Sequence, residues 1–185
     1  MSPPQVSNRG IHLQVIYARQ PIDNQLASKG SVFLAGPTPR SEFPYPSWRP
    51  EALQLLEKFD YDGVVFVPED EDGGCHGDYT HQVEWEEEAL TVATCILFWF
   101  ARIFPEMPAL TTNDEWGAWK KSGKVVFGAP PWAAKVNYQK YYAKKYGVPM
   151  SDTLEKTVIS AISMEARIRI MELGGPRYEF LFPSR

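Results

Sequence analysis

Four short apolar runs punctuate the chain at intervals long enough to hold a helix: SVFLAG at 31–36, GVVFVPE at 63–69, CILFWF at 95–100 and KVVFGAP at 124–130. None alternates apolar with polar residues, as a strand with one wet face does. Continuous runs of this length belong to strands covered on both sides. The segments between them have helical periodicity. Ser47 is placed to cap a helix whose Trp48, Ala52, Leu55, Leu56 and Phe59 share a face. Residues 79–93 predict a second helix, with Val83, Ala89, Leu90 and Ala93 inward and a Glu-rich outer face, and residues 112–122 predict a third. Strands alternating with helices are joined by right-handed crossovers. The expected fold is therefore α/β, a mostly parallel, doubly wound sheet with helices on both faces.

The flanks extend this pattern. IHLQVIYA (11–18) reads as an extra strand, and VNYQKYYAKKYG (136–147) as a Tyr-rich helix that stops at Gly147. Asp152 and Glu155 open a last helix with Leu154, Val158 and Ile162 on one face. It ends at GGP (174–176), after which YEFLF (178–182) reads as a further strand or a docked tail. No internal repeat or Gly/Ser/Pro-rich linker divides the 185 residues. That predicts a single domain with its core at about 31–130 and a C-terminal helical segment at 136–173.

Charge and cysteine usage narrow the function. A net charge of −4 argues against a reader of the nucleic-acid backbone and leaves room only for a local basic patch on a single phosphate. No apolar run has the length of a membrane span, and two cysteines, Cys75 and Cys95, give no disulfide framework. The expectation is a soluble cytoplasmic protein with free thiols and no membrane partner. Cys75 and His76 are adjacent, and adjacent side chains rarely ligate one ion, so neither a metal nor another cofactor is expected.

In an open parallel sheet, ligands bind beyond the carboxyl ends of the strands. Three segments project there: GPTPR (36–40), PEDEDGGCHGDY (68–79) and ARIFPEMPALTTNDE (101–115). The first has neither dinucleotide-fingerprint spacing nor a Walker lysine. Gly36 allows close backbone approach there, Thr38 offers a hydroxyl and Arg40 a fork for phosphate or carboxylate, unless the segment is simply a proline-stiffened turn with a solvated arginine. The acidic run 69–72 lacks calcium-loop spacing and reads as a solvated loop. Tyr79, Gln82 and Trp85 put aromatics and an amide near a helix start, where they either face a base or sugar or serve packing. In TTNDEWG (111–117), Thr112 and Glu115 fit a capping box. Glu115 equally fits a reactive carboxylate at the sheet's binding end.

SVFLAGPTPR, YTHQVEWEEEAL, CILFWF and PALTTNDEWGAWKKSGKVVFGAP occur in that order, and together they resemble the nucleoside 2-deoxyribosyltransferase-like family over roughly residues 31–130. The resemblance implies a flavodoxin-like sheet and cleavage of the N-glycosidic bond of a deoxynucleoside. It makes Glu115 the nucleophile that forms a covalent deoxyribosyl-enzyme, which a free nucleobase then resolves with retention. A carboxylate at a helix start is expected to be ionised near neutral pH, as a nucleophile must be. By the same resemblance Asn113 and Asp114 hold sugar hydroxyls or protonate the leaving base, Gly36 and Thr38 line the sugar side, and Gln82 and Trp85 lie near the base. Adjacent helical residues diverge by about 100°, so Asp114 shares the pocket only from a non-helical lead-in. Family members commonly carry a sugar-fixing Asp just before the third strand, where this chain has Thr94. A homo-oligomer is also implied. Two rival functions stand beside transfer: hydrolysis of a nucleoside 5′-monophosphate with Arg40 on the phosphate, and a non-catalytic nucleotide-binding module.

Overall fold

The computed structural model describes residues 13–23, 29–39, 45–72 and 77–174. Its strands are β1 (Gln14–Tyr17), β2 (Ser31–Ala35), β3 (Val64–Val67), β4 (Cys95–Trp99), β5 (Val125–Gly128) and β6 (Met150–Ser151). They form one all-parallel sheet in the order β1-β3-β2-β4-β5-β6. With β1 set aside as an added edge, this is the doubly wound, flavodoxin-like order 2-1-3-4-5. Five helices accompany it among the described residues: α1 (Arg49–Lys58), α2 (Tyr79–Val92), α3 (Leu110–Trp119), α4 (Asn137–Lys145) and α5 (Leu154–Glu172). The four apolar runs and the 11–18 segment all contain strands. A two-residue β6 is too short to leave a pattern and was not foreseen. YEFLF lies outside the described residues.

The period of two along each strand sorts the core into two layers of different character. Phe33, Phe66, Phe98, Phe100 and Phe127 point to one face and pack with Trp85 of α2 and Trp116 of α3. Phe98 and Trp116 meet edge to face, with centroids 5.3 Å apart. Val32, Leu34, Val65, Leu97 and Val126 point to the other face, beneath α1 and α5. Burying each such side chain is worth roughly 1.5–3 kcal/mol, so both faces need their helices.

Three details of the helices differ from expectation. Ser47 lies one residue before the α1 cap position; its hydroxyl still accepts from Arg49 N–H at 3.2 Å. On α2 the inward stripe is Gln82, Trp85, Ala89 and Leu90, and Val83 is exposed instead. The stripe runs i, i+3, i+7, which turns position 83 outward. The third helix begins two residues early, at Leu110 after Ala109, whose backbone is left-handed (φ 55°). That conformation costs an L-residue about 1 kcal/mol and sets the angle at which the chain enters α3.

Candidate active site

Where β2 lies between β3 and β4 the winding of the chain reverses, and the crevice beyond their carboxyl ends holds a cleft of about 330 Å³. Its β2 side is organised by Arg49. This residue is buried, although arginine is rarely so without partners. Its Nε donates to Leu34 O at 3.1 Å, Nη2 to Gly36 O at 2.8 Å, and Nη1 to Thr38 Oγ1 at 3.0 Å and to Glu69. Glu69 is equally buried and accepts a second bond from Ser47 Oγ at 2.7 Å. An ion pair taken out of water is tolerable only when its remaining valences are filled, as they are here. The result is a rigid clamp on the loop after β2. Gly36 is required in that loop by space: a Cβ would sit 2.6 Å from Trp99 O and 2.7 Å from a Trp48 ring carbon.

The opposite wall is acidic. Glu115 of α3 and Glu86 of α2 both line the cleft. Burial, the neighbouring Glu86 and, less strongly, Asp114 push the Glu115 carboxyl up to about 7, against the lowering effect of Arg49. Burial also raises Glu86, opposed by Gln82, whose amide donates to Glu86 Oε1 at 2.7 Å, and by Arg49. Two expectations are corrected here. There is no capping box, because Ala109 is the cap residue, without a side-chain cap bond, and Thr112 lies inside the helix and is buried. Glu115 is likewise not at the helix start, so the macrodipole acts on it weakly and desolvation beside a second acid prevails. Its carboxyl is therefore poised near neutrality and not held ionised.

A profile of proteins described as nucleoside 2-deoxyribosyltransferase-like matches residues 29–132, more than half of the chain. The chain belongs to that family. No curated protein matches it. The matched stretch carries β2 through β5 and every described lining residue of the cleft, so the family match encloses the crevice.

Of the residues singled out from the family resemblance, Gly36, Thr38, Gln82 and Glu115 line the cleft together. Gln82 is fixed there by Arg19, which donates to its Oε1 at 2.9 Å. Asp114, one step along α3, is exposed outside the cleft, as a helical neighbour of Glu115 must be. Asn113 Oδ1 instead accepts from Arg102 and from Gln139 Nε2 (2.7 Å). Trp85 belongs to the aromatic core, its Nε1 donating to Gln20 O at 2.8 Å. Thr94 stands at the amino end of β4, where it exchanges hydrogen bonds with Ser31. Arg40 and the Cys75–His76 pair lie outside the described residues. Sequence reasoning missed Arg49, Glu69 and Glu86. Arg49 and Glu69 left a trace only as charges beside buried segments, and Glu86 was hidden among four glutamates of which three are exposed. At the mouth it also missed Tyr79, Val83 and Leu110 as a set, three exposed apolar side chains around one opening.

Proposed function

We propose that the cleft transfers a 2-deoxyribosyl group between nucleobases, with Glu115 as nucleophile and Glu86 as the acid–base partner. The carrying observation is the pair of cleft-lining carboxyls, one on each of two helices, both raised by burial, with Glu86 raising Glu115 further. Two carboxyls in one low-dielectric site share a proton. In the resting cleft burial and Glu86 favour it on Glu115, and the reaction proceeds from the arrangement in which it has moved to Glu86 and Glu115 is ionised. Glu115 attacks the anomeric carbon as the C–N bond breaks. The bonding electrons leave with the base, which takes the proton from Glu86. An incoming base then attacks the same carbon, the ester bond to Glu115 breaks, and the incoming base returns a proton to Glu86. The two displacements come from opposite faces of the sugar, and two successive inversions give net retention.

The surroundings support these roles. Gln82 occupies Glu86 Oε1 and leaves the other oxygen to carry the proton. Thr38 and the backbone at Gly36, held by Arg49, form the wall on which the sugar rests, and Tyr79, Val83 and Leu110 give the base an apolar platform. Arg49 already has four hydrogen bonds, one of them to the Glu69 carboxylate that offsets its charge, so the charge of the described lining is negative. A neutral nucleoside suits such a lining better than a monophosphate. Asp114, exposed on the far side of Glu115, has no part in this scheme.

Incubation with deoxyadenosine, with and without free cytosine, tests the reading. Deoxycytidine formed only in the presence of cytosine is the expected result. Adenine release with no new nucleoside makes the protein a hydrolase, and cleavage of dAMP alone makes it a monophosphate N-glycosidase. Nucleoside binding with no base release leaves only a binding module.

A further inference from the structure

The net charge of −4 conceals a segregation. Residues 116–151 contain seven lysines and neither Asp nor Glu, so the remaining chain carries all 23 acids. Lys124 is spent internally on the end of α2, donating to Leu90 O, Thr91 O and Ala93 O at 2.8 Å. The other six are Lys120 and Lys121 after α3, Lys135 before α4, and Lys140, Lys144 and Lys145 on or at the end of α4. Helix α4 buries Gln139 and Ala143 and turns a tyrosine stripe outward. Tyr138 and Tyr141 are 66% and 62% exposed, and each stands edge-on to Tyr142, at 4.9 and 5.2 Å. Lys145 lies over the rings of Tyr142 and Tyr146, and Lys121 over Tyr146. Trp132, 60% exposed, lies in the segment that leads into α4.

We propose that this face binds single-stranded nucleic acid, its lysines on the phosphates and the open rings of Tyr138, Tyr141 and Trp132 under the bases. Ammonium groups interleaved with exposed aromatic faces are what a single strand requires, since every base has a π-face and every linkage a charge. A protein partner fits less well, because interface cores are depleted in lysine, whose desolvation is costly. A duplex fits less well too: its bases are already stacked and offer the rings nothing. Helix α4 is about 13 Å long, and the acidic remainder repels a strand that leaves the band, so the footprint is short, at the low end of the ~4–16 nucleotides typical of such surfaces. The face lies apart from the cleft and does not depend on the reaction assigned there.

Fluorescence anisotropy of a labelled oligothymidylate of about 12 nucleotides, added to the full chain at ~50 mM salt, tests this. Saturable binding is expected, weakening steeply by ~200 mM salt, falling at least tenfold in Lys140→Glu/Lys144→Glu and several-fold in Tyr138→Ala/Tyr141→Ala, and unchanged in Glu115→Ala. Thermal melts of the variants check that these surface changes leave the fold intact. Absence of binding at ~50 mM salt overturns the proposal. So does equal affinity for a duplex of the same length with no effect of the tyrosine changes, which marks featureless polyanion attraction. Self-association lost on lysine reversal, with no response to the oligonucleotide, assigns the face to a second copy of the chain.

Discussion

The two ends of the sheet use the same kinds of side chain to opposite effect. At the amino end, Lys124 closes the last carbonyls of α2, and Ser31 and Thr94 satisfy each other, N–H to hydroxyl in both directions, at 3.2 and 3.0 Å. These groups complete secondary structure. At the carboxyl end, Arg49 and Glu69 are equally buried and bonded, but beyond them stand Glu86 and Glu115, whose charges no cation among the described residues fully offsets. Polar groups that satisfy one another stabilise a fold. A surplus of like charge facing an open cleft costs stability and is retained where chemistry needs it. The difference is testable by altering each end in turn.

The largest expected effect is at Glu115. Replacement by alanine is expected to cost at least ~10³ in rate, about 4 kcal/mol of transition-state stabilisation, without lowering the melting temperature. Stability provides an independent readout. The folded carboxyl ionises at about 7, above its ordinary 4.5, so its contribution is fully present below pH 4.5 and is lost as pH rises through 7. Glu115→Gln is therefore expected to melt higher than the parent at pH 8 and much the same at pH 5. A variant that keeps its activity and melts lower at pH 8 gives Glu115 a structural role and removes the contrast between the ends.

Glu86 comes next. Glu86→Gln is expected to lose about 10² in rate, most with the poorest leaving bases, as removal of a general acid does. Its pH profile separates this role from a merely structural one. The parent profile is bell-shaped, with activity lost on the acid side when both carboxyls are protonated and on the alkaline side when both are ionised. Because Glu86 is a neighbour that raises Glu115, its removal should move the acid limb to lower pH and abolish the alkaline limb. An unchanged alkaline limb places the proton donor elsewhere.

At the other end, Lys124→Met is expected to destabilise the protein by about 1–2 kcal/mol, a fall of several degrees in melting temperature, with kcat and KM unchanged. The methionine keeps the stem packing but leaves three carbonyls at the end of α2 without their ammonium donor. A loss of activity matching the loss at Glu86 would show that the two ends are not separable in this way.

What could be read from the sequence follows the same division. Apolar runs and helical periodicity are local properties, so the strands of the central sheet and the alternation of layers were legible, and so was the end of the sheet that carries the cleft. Glu115 was legible through its motif, but its protonation was not. Whether an acid sits at a helix cap or six residues inside depends on where the chain before it turns, and Ala109 turns in the left-handed region without a glycine to signal it. Glu86 was illegible for another reason. Four glutamates in five residues present one cleft-facing side chain and three wet ones, and only the placement of α2 against the sheet decides which is which. Arg49 and Glu69 meet across 20 residues of chain, a pairing that no spacing rule anticipates.

Thr94 gives the smallest expected effect and the sharpest separation of motif from place. It occupies the position where the family pattern suggests a sugar-fixing acid, yet it precedes β4, whose five residues put about 16 Å between it and the carboxyl end. Its hydroxyl accepts from Ser31 N–H, and its own N–H is taken by Ser31 Oγ, so its polar groups are engaged at the wrong end for a substrate. Thr94→Ala is expected to cost about 1 kcal/mol of stability, through the Ser31 N–H it leaves unpaired, and nothing in KM for deoxyribonucleosides. Thr94→Asp is expected to leave KM unchanged as well, since a carboxylate there cannot reach the cleft. A change in the preference between deoxyribose and ribose in either variant would tie the amino end to catalysis and dissolve the distinction between the two ends.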